Sequence, residues 1–202
     1  WANRLEFRTI NGLSARIIQH YERVKGRQAF TLVTEEGRLA ALVGELYRKA
    51  TGEFATESTV RSLRTAITYC KNRQMTQEEI EAYQVEDIPF AKLYRQYHAE
   101  LRRRRWMDYD DQMVYAAQIL RQHGDILAYF QDKYRYLCVD EAQDTSRIQH
   151  TILKLLAGRR RNLFLVGDED QSIYGFRAAD PGALLRFEEE YPGGRVLFLE
   201  KN

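Results

Sequence analysis

The sequence predicts an α/β protein in which a mostly helical block interrupts a parallel sheet. Residues 11–131 carry apolar side chains largely at helical spacing, whereas residues after 131 alternate short apolar runs with helical stretches. Strand–helix–strand order implies right-handed crossovers and parallel pairing. The 202 residues, 44% of them hydrophobic, suffice to bury a core, and no apolar run approaches the length of a membrane span.

The first predicted elements are a short strand and the helices that follow it. Leu5, Phe7 and Thr9 alternate with charged residues, as in a half-exposed strand. The next stretch has apolar residues at 13, 17, 18 and 21, which predicts a helix. Further along, Thr76 followed by Glu79 three residues later is a capping-box pattern that predicts the start of a short helix.

A long helix is predicted to follow Asp87, which is placed to cap it. Its apolar residues share one side of the helix: Ile88, Leu93, Tyr94, Tyr97 and Leu101. It ends at the arginine cluster 102–105. The next predicted helix lies near Asp110–Gln122, just after the acidic stretch Asp108–Asp111.

The second half of the chain predicts the sheet. Residues 134–140 and 162–168 have the apolar character of strands. Between them, apolar residues at 148, 152, 155 and 156 predict a helix that Gly158 terminates. Asp180 and Pro181 have the pattern of a further helix start, and residues 196–199 that of a last strand.

The distribution of charge and the number of cysteines exclude few functional classes. Residues 1–107 hold 19 Lys and Arg against 13 Asp and Glu, and residues 108–202 hold 12 against 16. A basic half beside an acidic half is compatible with a polyanion partner and a metal–phosphate site. Two distant cysteines fit a reducing cytoplasm, with Cys138 expected to be buried, and no histidine has the spacing of a zinc ligand.

Two adjacent acids, Asp140 and Glu141, follow the apolar run 136–139. At the carboxyl end of a parallel strand such acids face the crevice in which α/β sheets bind ligands. One carboxylate can hold Mg²⁺ while the other polarises an attacking water. The alternative is that both acids cap the following helix at its positive end.

Five stretches together resemble one family. Val139-Asp-Glu-Ala-Gln-Asp-Thr145 and Val166-Gly-Asp-Glu-Asp-Gln-Ser-Ile-Tyr-Gly-Phe-Arg-Ala-Ala-Asp180 closely resemble motifs II and III of UvrD/Rep-type superfamily 1 DNA helicases. Residues 7–17 resemble the DNA-contacting motif Ib, and residues 199–202 the opening of motif IV. Met107–Asp111 is similar to the stretch that returns to the motor after its inserted helical subdomain.

The resemblance implies a partial RecA-like (P-loop NTPase type) parallel sheet that lacks its phosphate-loop strand. Residues 1–19 and 107–202 would form the motor domain, and residues 20–106 the mostly helical inserted subdomain. The parent protein would couple hydrolysis of ATP with Mg²⁺ to translocation on single-stranded DNA and to unwinding of duplex DNA. Its partners would include the remaining motor domains, with no membrane partner, and its location would be cytoplasmic.

The same resemblance implies roles for individual residues. Asp140 would bind the metal, Glu141 would act as the general base, and Gln171 would sense the γ-phosphate. The aromatic residues Tyr174 and Phe176 would stack on unpaired bases, although two aromatics at this spacing also suit a core.

Three further residues are candidates for DNA contact. Arg177 would contact DNA or organise the nearby acids, with pairing to Asp180 as an equal alternative. Thr9 and Asn11 lie in the stretch that resembles motif Ib. The basic cluster 102–105 is interpreted equally well as a phosphate-binding patch or as a solvated helix end.

The sequence departs from the family pattern at four points. Asn11 stands where motif Ib usually has histidine, and Ala178 where motif III usually has glycine. No G-x-x-x-x-G-K-[ST] phosphate loop occurs, and the arginine of motif IV is missing. We therefore expect an incomplete motor that is inactive alone. The alternatives are a helicase–nuclease recombination subunit and a degenerate, non-enzymatic DNA-binding module.

Overall fold

A computed structural model describes residues 5–168 and 187–198 of the chain. The helices in those ranges are α1 (Ile10–Lys25), α2 (Glu36–Thr51), α3 (Glu57–Arg73), α4 (Gln77–Ala82), α5 (Phe90–Arg104), α6 (Tyr109–Gln122), α7 (Gly124–Lys133), α8 (Arg147–Ala157) and α9 (Phe187–Glu190). The strands are β1 (Thr31–Leu32), β2 (Trp106–Met107), β3 (Leu137–Val139) and β4 (Leu163–Leu165). The protein is therefore α/β, mostly helical, with small sheets.

Both strand pairs are parallel. β1 pairs with β2, and β3 pairs with β4 so that Cys138 lies opposite Phe164. The parallel pairing of the two strands that flank α8 confirms the prediction from their order. The β1–β2 pair was not predicted, because two-residue strands carry no periodic signal.

The helices build two hydrophobic clusters. The first cluster lies among α2, α3 and α5, and its largest fully buried residues include Leu63, Phe90, Leu93 and Leu101. The second joins α1, α6, α7 and α8 through residues such as Ile17, Leu120, Phe130 and Ile152. Each helix contributes one apolar face, which is why helical periodicity was visible in the sequence.

Local capping signals set most helix ends as predicted. Thr76 and Glu79 form the expected capping box at the start of α4. Gly158 ends α8 at a φ of 51°. This backbone conformation favours glycine, and a Cβ there would also displace the end of the Gln131 side chain.

The prediction that Asp87 caps α5 is wrong. The helix begins at Phe90 with Pro89 at its cap position. Val85 and Ile88 pair as an antiparallel bridge, and Asp87 lies in the turn between them. Proline disfavours helical backbone in the residue before it, so the helix cannot include Ile88.

Two predicted strands are also wrong. Residues 5–9 and 196–198 belong to no paired strand, and Phe7 and Phe198 are 90% and 80% exposed. A strand needs a neighbour that accepts its hydrogen bonds, and residues 5–9 are held instead by Glu6, which contacts Arg16, Lys133 and Tyr134. The predicted helix start at Asp180 and Pro181 lies outside the described residues.

Cys138 is exposed, which overturns the prediction that it is buried. Its partner across the β3–β4 pair, Phe164, is 58% exposed on the same face. Within residues 5–168 and 187–198, this face of the pair has no complete cover. An apolar strand pattern predicts a buried position only when a second layer covers it.

No helix in the described ranges combines the length and apolar character needed to cross a membrane.

A buried ionic cluster joins the two hydrophobic clusters. Lys71 of α3, whose side chain is 2% exposed, contacts Asp108 at 2.6 Å and Asp111 at 2.7 Å. The Tyr97 hydroxyl donates to Asp108 at 2.9 Å. Burial by itself lowers the pKa of Lys71, but the two carboxylates outweigh it and raise that pKa above its usual value.

The same carboxylates start α6. Asp108 accepts from the backbone nitrogen of Asp111, and Asp111 accepts from that of Asp108, which completes a capping box. Next to them, Asp110 accepts hydrogen bonds from Thr68 and Asn72 of α3 at 2.8 and 2.7 Å. The start of α6 is thus bonded to α3 through four polar contacts, which three acids make with three residues of α3.

We predict that Lys71→Met destabilises the protein by about 3–5 kcal/mol, because it leaves two buried carboxylates without a counter-charge. Urea unfolding at pH 7 measures this. The matched control is Lys49→Met, which breaks the exposed pair between Lys49 and Glu45 on α2. It should cost at most about 0.5 kcal/mol. Equal losses in the two variants would contradict a structural role for the buried cluster.

The deficit of Lys71→Met should shrink as the pH falls from about 7 to about 5. Burial raises the pKa of Asp111 to about 6 even with Lys71 present, and loss of the ammonium raises it further. A carboxyl with a raised folded-state pKa favours folding at low pH and loses that contribution as the pH rises through the folded value. Burial and the charge of Lys71 lower the pKa of His98 to about 4. Loss of Lys71 relieves part of that shift, so it also makes the stability deficit of the variant smaller at low pH.

Candidate functional site

The carboxylate pair lies where β3 ends. The backbone remains paired with the segment after β4 on both sides of the acids: the Val166 amide donates to Val139, and the Ala142 amide donates to Val166, each at 2.8 Å. Between these two hydrogen bonds, Asp140 and Glu141 are exposed. The exposed acids therefore sit on a backbone that is hydrogen-bonded immediately before and after them.

Glu141 has a left-handed backbone, with φ 50° and ψ 45°. This conformation is unfavourable for a residue with a Cβ and persists only where the surroundings support it. Here the Glu141 amide donates to its neighbour Asp140 at 3.1 Å, and the Glu141 carbonyl accepts from Asp144 at 3.0 Å. At Glu141 the chain therefore leaves the direction of β3, and a 3-10 turn over Ala142–Asp144 follows.

Behind the acids the turn is packed tightly. Ala142, Gln143 and Thr145 are buried. The Thr145 hydroxyl contacts both the Ala142 carbonyl and the His150 ring of α8 at 2.5 Å. The acids therefore stand on a rigid base that α8 supports, and they do not serve as the N-terminal cap of α8, whose first residue is Arg147.

Gln143 was not singled out in the sequence. Its side-chain nitrogen donates to the Glu141 carboxylate at 2.6 Å, and its side-chain oxygen accepts from the Asp168 backbone nitrogen at 3.1 Å. It thus links the two chain segments that leave β3 and β4. Its only sequence signal is its place in Asp-Glu-Ala-Gln, which by itself does not distinguish it from a surface glutamine.

The oxygen donors at this site suit a magnesium ion. Asp140 and Glu141 offer exposed carboxylates, and Mg²⁺ is typically bound by one or two carboxylates together with water and substrate phosphates. Among the described residues no group of three or more His, Cys, Asp or Glu side chains could enclose a metal. Two carboxylates would leave the remaining positions around Mg²⁺ to water and to phosphate oxygens.

Thr9 and Asn11 lie at the start of α1. The Thr9 hydroxyl caps the helix by accepting from the Gly12 amide at 3.1 Å. The side-chain oxygen of Asn11 is buried and has no hydrogen-bond partner within the described part of the chain. None of the hydrogen bonds or ion pairs between described residues joins either side chain to Asp140 or Glu141.

The remaining predicted site residues, Gln171, Tyr174, Phe176 and Arg177, lie outside the described residues. The structure therefore describes the carboxylates and the start of α1, and the roles expected of those four stay predictions.

The arginine cluster at the end of α5 is largely engaged within the protein. Arg103 and Arg104 contact Glu100 at 2.9 and 3.2 Å. Arg105 donates to the Gln28 carbonyl at 3.0 Å. These contacts favour a helix end stabilised by internal pairs over a patch reserved for phosphates.

Comparison with known proteins places these features in one family. The model of the UvrD/REP helicase N-terminal domain matches residues 2–192. ATP-dependent DNA helicase PcrA of Staphylococcus epidermidis (strain ATCC 35984) is 41% identical over 139 residues, covering 68% of this chain and 19% of that protein. PcrA of Staphylococcus aureus (strain Mu50) is 40% identical over 141 residues, with the same coverage.

The chain spans about one fifth of the length of these curated relatives. The family match, in contrast, covers nearly all of the chain, including both hydrophobic clusters and the carboxylate pair. The chain therefore belongs to the UvrD/REP helicase N-terminal domain family.

Proposed function

We propose that this chain is part of an ATP-dependent DNA helicase that couples ATP hydrolysis to movement along single-stranded DNA and to duplex unwinding. The observation that carries the proposal is the exposed pair Asp140 and Glu141 at the end of β3, on a backbone bonded to the next parallel strand. Family membership and the PcrA relatives, which are ATP-dependent DNA helicases, support it. The two distant cysteines are compatible with a cytoplasmic location.

Each carboxylate has a distinct role in the proposal. Asp140 binds Mg²⁺, which neutralises phosphate charge when bound. Glu141 accepts a proton from the attacking water. The αL turn at Glu141 ends the alternation of strand side chains directly after Asp140, so the two adjacent acids have different backbone conformations.

The DNA-contacting surface in this proposal consists of residues after β4 and residues at the start of α1. Gln171 senses the γ-phosphate, and Tyr174 and Phe176 stack on bases, with Arg177 beside them. Thr9 and Asn11, at the start of α1, contact the DNA strand at a separate position.

The proposal also includes the domain arrangement. Residues 1–19 and 107–202 form a RecA-like motor domain with a parallel sheet, and residues 20–106 form a helical inserted subdomain. The two hydrophobic clusters support this division: one is built from residues between 33 and 101, and the other joins Ile17 to residues between 113 and 156. The remaining motor domains would complete the sheet and the nucleotide site.

Two alternatives remain, and each has a discriminating observation. A helicase–nuclease subunit would carry a nuclease domain elsewhere in the full-length protein. A degenerate DNA-binding module would lack a phosphate loop throughout the full-length protein. The exposed carboxylate pair favours the enzyme, because a binding module has no need for two acids in a DNA-binding surface.

The 202-residue chain alone should show no DNA-stimulated ATPase activity, because its sequence contains no phosphate loop. Phosphate release with and without single-stranded DNA measures this, and circular dichroism confirms folding. Robust turnover that Glu141→Gln abolishes would contradict the prediction and show that another loop holds the phosphates.

In the full-length protein, Glu141→Gln should reduce ATP hydrolysis by about 10²–10⁴-fold while ATP binding persists, because the amide keeps the size but cannot accept the proton. Steady-state turnover and nucleotide affinity measure the two effects. The control Glu57→Gln, at an exposed position on α3, should leave both unchanged. Near-normal turnover in Glu141→Gln would remove Glu141 from the role of base.

Combined Tyr174→Ala and Phe176→Ala in the full-length protein should weaken single-strand binding at least about tenfold, since each stacked base contributes roughly 1–3 kcal/mol. Unwinding should fall more than basal, DNA-independent ATP hydrolysis, because the carboxylates remain. The control Phe54→Ala removes an exposed aromatic from the helical block. Normal strand binding by the double variant, or a loss fully explained by unfolding in a thermal melt, would show that these aromatics belong to the core.

A further inference from the structure

A buried amide lies between the exposed carboxylate of Glu141 and the end of the second strand. Gln143 is 2% exposed, in the middle of the turn Ala142–Asp144. One end of its amide donates to Glu141 at 2.6 Å, and the other accepts from the Asp168 backbone at 3.1 Å. A buried side chain thus contacts an exposed one in the candidate site.

The chemistry of the two partners determines which way the amide faces. An ionised carboxylate can only accept, and a backbone nitrogen can only donate. A side chain that satisfies both partners must therefore donate a hydrogen bond at one end and accept one at the other. It must also be long enough to reach both partners. Glutamine does this, whereas glutamate can only accept, methionine does neither and asparagine is one methylene shorter.

The hydrogen bond limits the freedom of Glu141. An exposed glutamate samples many rotamers, and its backbone here is in the unfavourable left-handed region. The side chain of Gln143 cannot follow those rotamers, since it is 2% exposed in a turn where Ala142 and Thr145 are also buried and its other end is bonded to the Asp168 backbone. The carboxylate is therefore held against a fixed donor.

We propose that Gln143 is a positioning residue for the reaction: it fixes the Glu141 carboxylate and ties its position to the backbone at Asp168. In the sequence, Asp168 lies three residues before Gln171. This inference rests on the proposed role of Glu141 as general base.

The test uses the full-length protein with variants that separate the two hydrogen bonds. Gln143→Glu keeps an acceptor for the Asp168 amide but removes the donor to Glu141 and adds repulsion. Gln143→Met removes both bonds at similar volume. The matched control is Gln149→Glu on α8, which makes the same chemical change while keeping the hydrogen bond that residue 149 accepts from Ser146.

Both Gln143 variants should lower kcat for ATP hydrolysis by about 10- to 100-fold, since small misplacements of a reacting group have effects of that size. The KM and the affinity for a non-hydrolysable ATP analogue should stay unchanged, and Gln149→Glu should behave as the unaltered protein. In the Glu141→Gln background, adding Gln143→Met should cause no further loss in single-turnover hydrolysis, because Gln143 acts through Glu141.

Normal kcat in a folded Gln143 variant would overturn the proposal, as would a loss that adds fully to that of Glu141→Gln. If Gln143→Glu does not fold, Gln143→Met decides the outcome, with thermal unfolding measured alongside. Normal turnover in Glu141→Gln alone would overturn the proposed function of that residue, a result distinguishable from failure of the Gln143 variants.

Discussion

The buried ion cluster of Lys71 with Asp108 and Asp111 is the constraint on which the arrangement of the two helical cores depends. A charged lysine excluded from water persists only when opposite charges and hydrogen bonds surround it. Because Lys71 belongs to α3 and the acids start α6, satisfying the charge requires the two helices to meet at this point. The hydrophobic clusters on either side pack around this joint. Its ion pairs and hydrogen bonds require a particular direction of approach, whereas apolar contacts do not.

The joint has consequences for the candidate site. α6 packs in the second cluster with α8, and α8 supports the turn that carries the carboxylates through His150 and Thr145. A continuous set of packed elements therefore runs from the helical block to Glu141. Its last member, the amide of Gln143, is the one buried polar group described that contacts the exposed base candidate directly. This arrangement gives the acids a fixed backbone while leaving their side chains accessible to a ligand.

Elements determined by neighbouring residues were predictable. The capping box at Thr76, the end of α8 at Gly158 and the apolar face of α8 follow from contacts within one or two turns of helix. The parallel β3–β4 pair followed from element order. Asp140 and Glu141 were singled out because they follow an apolar strand, and their roles stay predictions. The expected Asp87 cap was wrong since a proline two residues later prevents the helix from starting there.

By itself, the sequence determined several helix ends, the parallel order of β3 and β4, and the family, because each depends on residues close together in the chain or on long motifs. Only the tertiary structure decided which positions are buried and which polar groups meet. Cys138 has the pattern of a buried strand residue yet is exposed, since burial depends on a second layer that the pattern cannot report. Lys71 and Gln143 look like surface residues but are buried, because their partners lie 37 and 25 residues away along the chain and become neighbours only after folding.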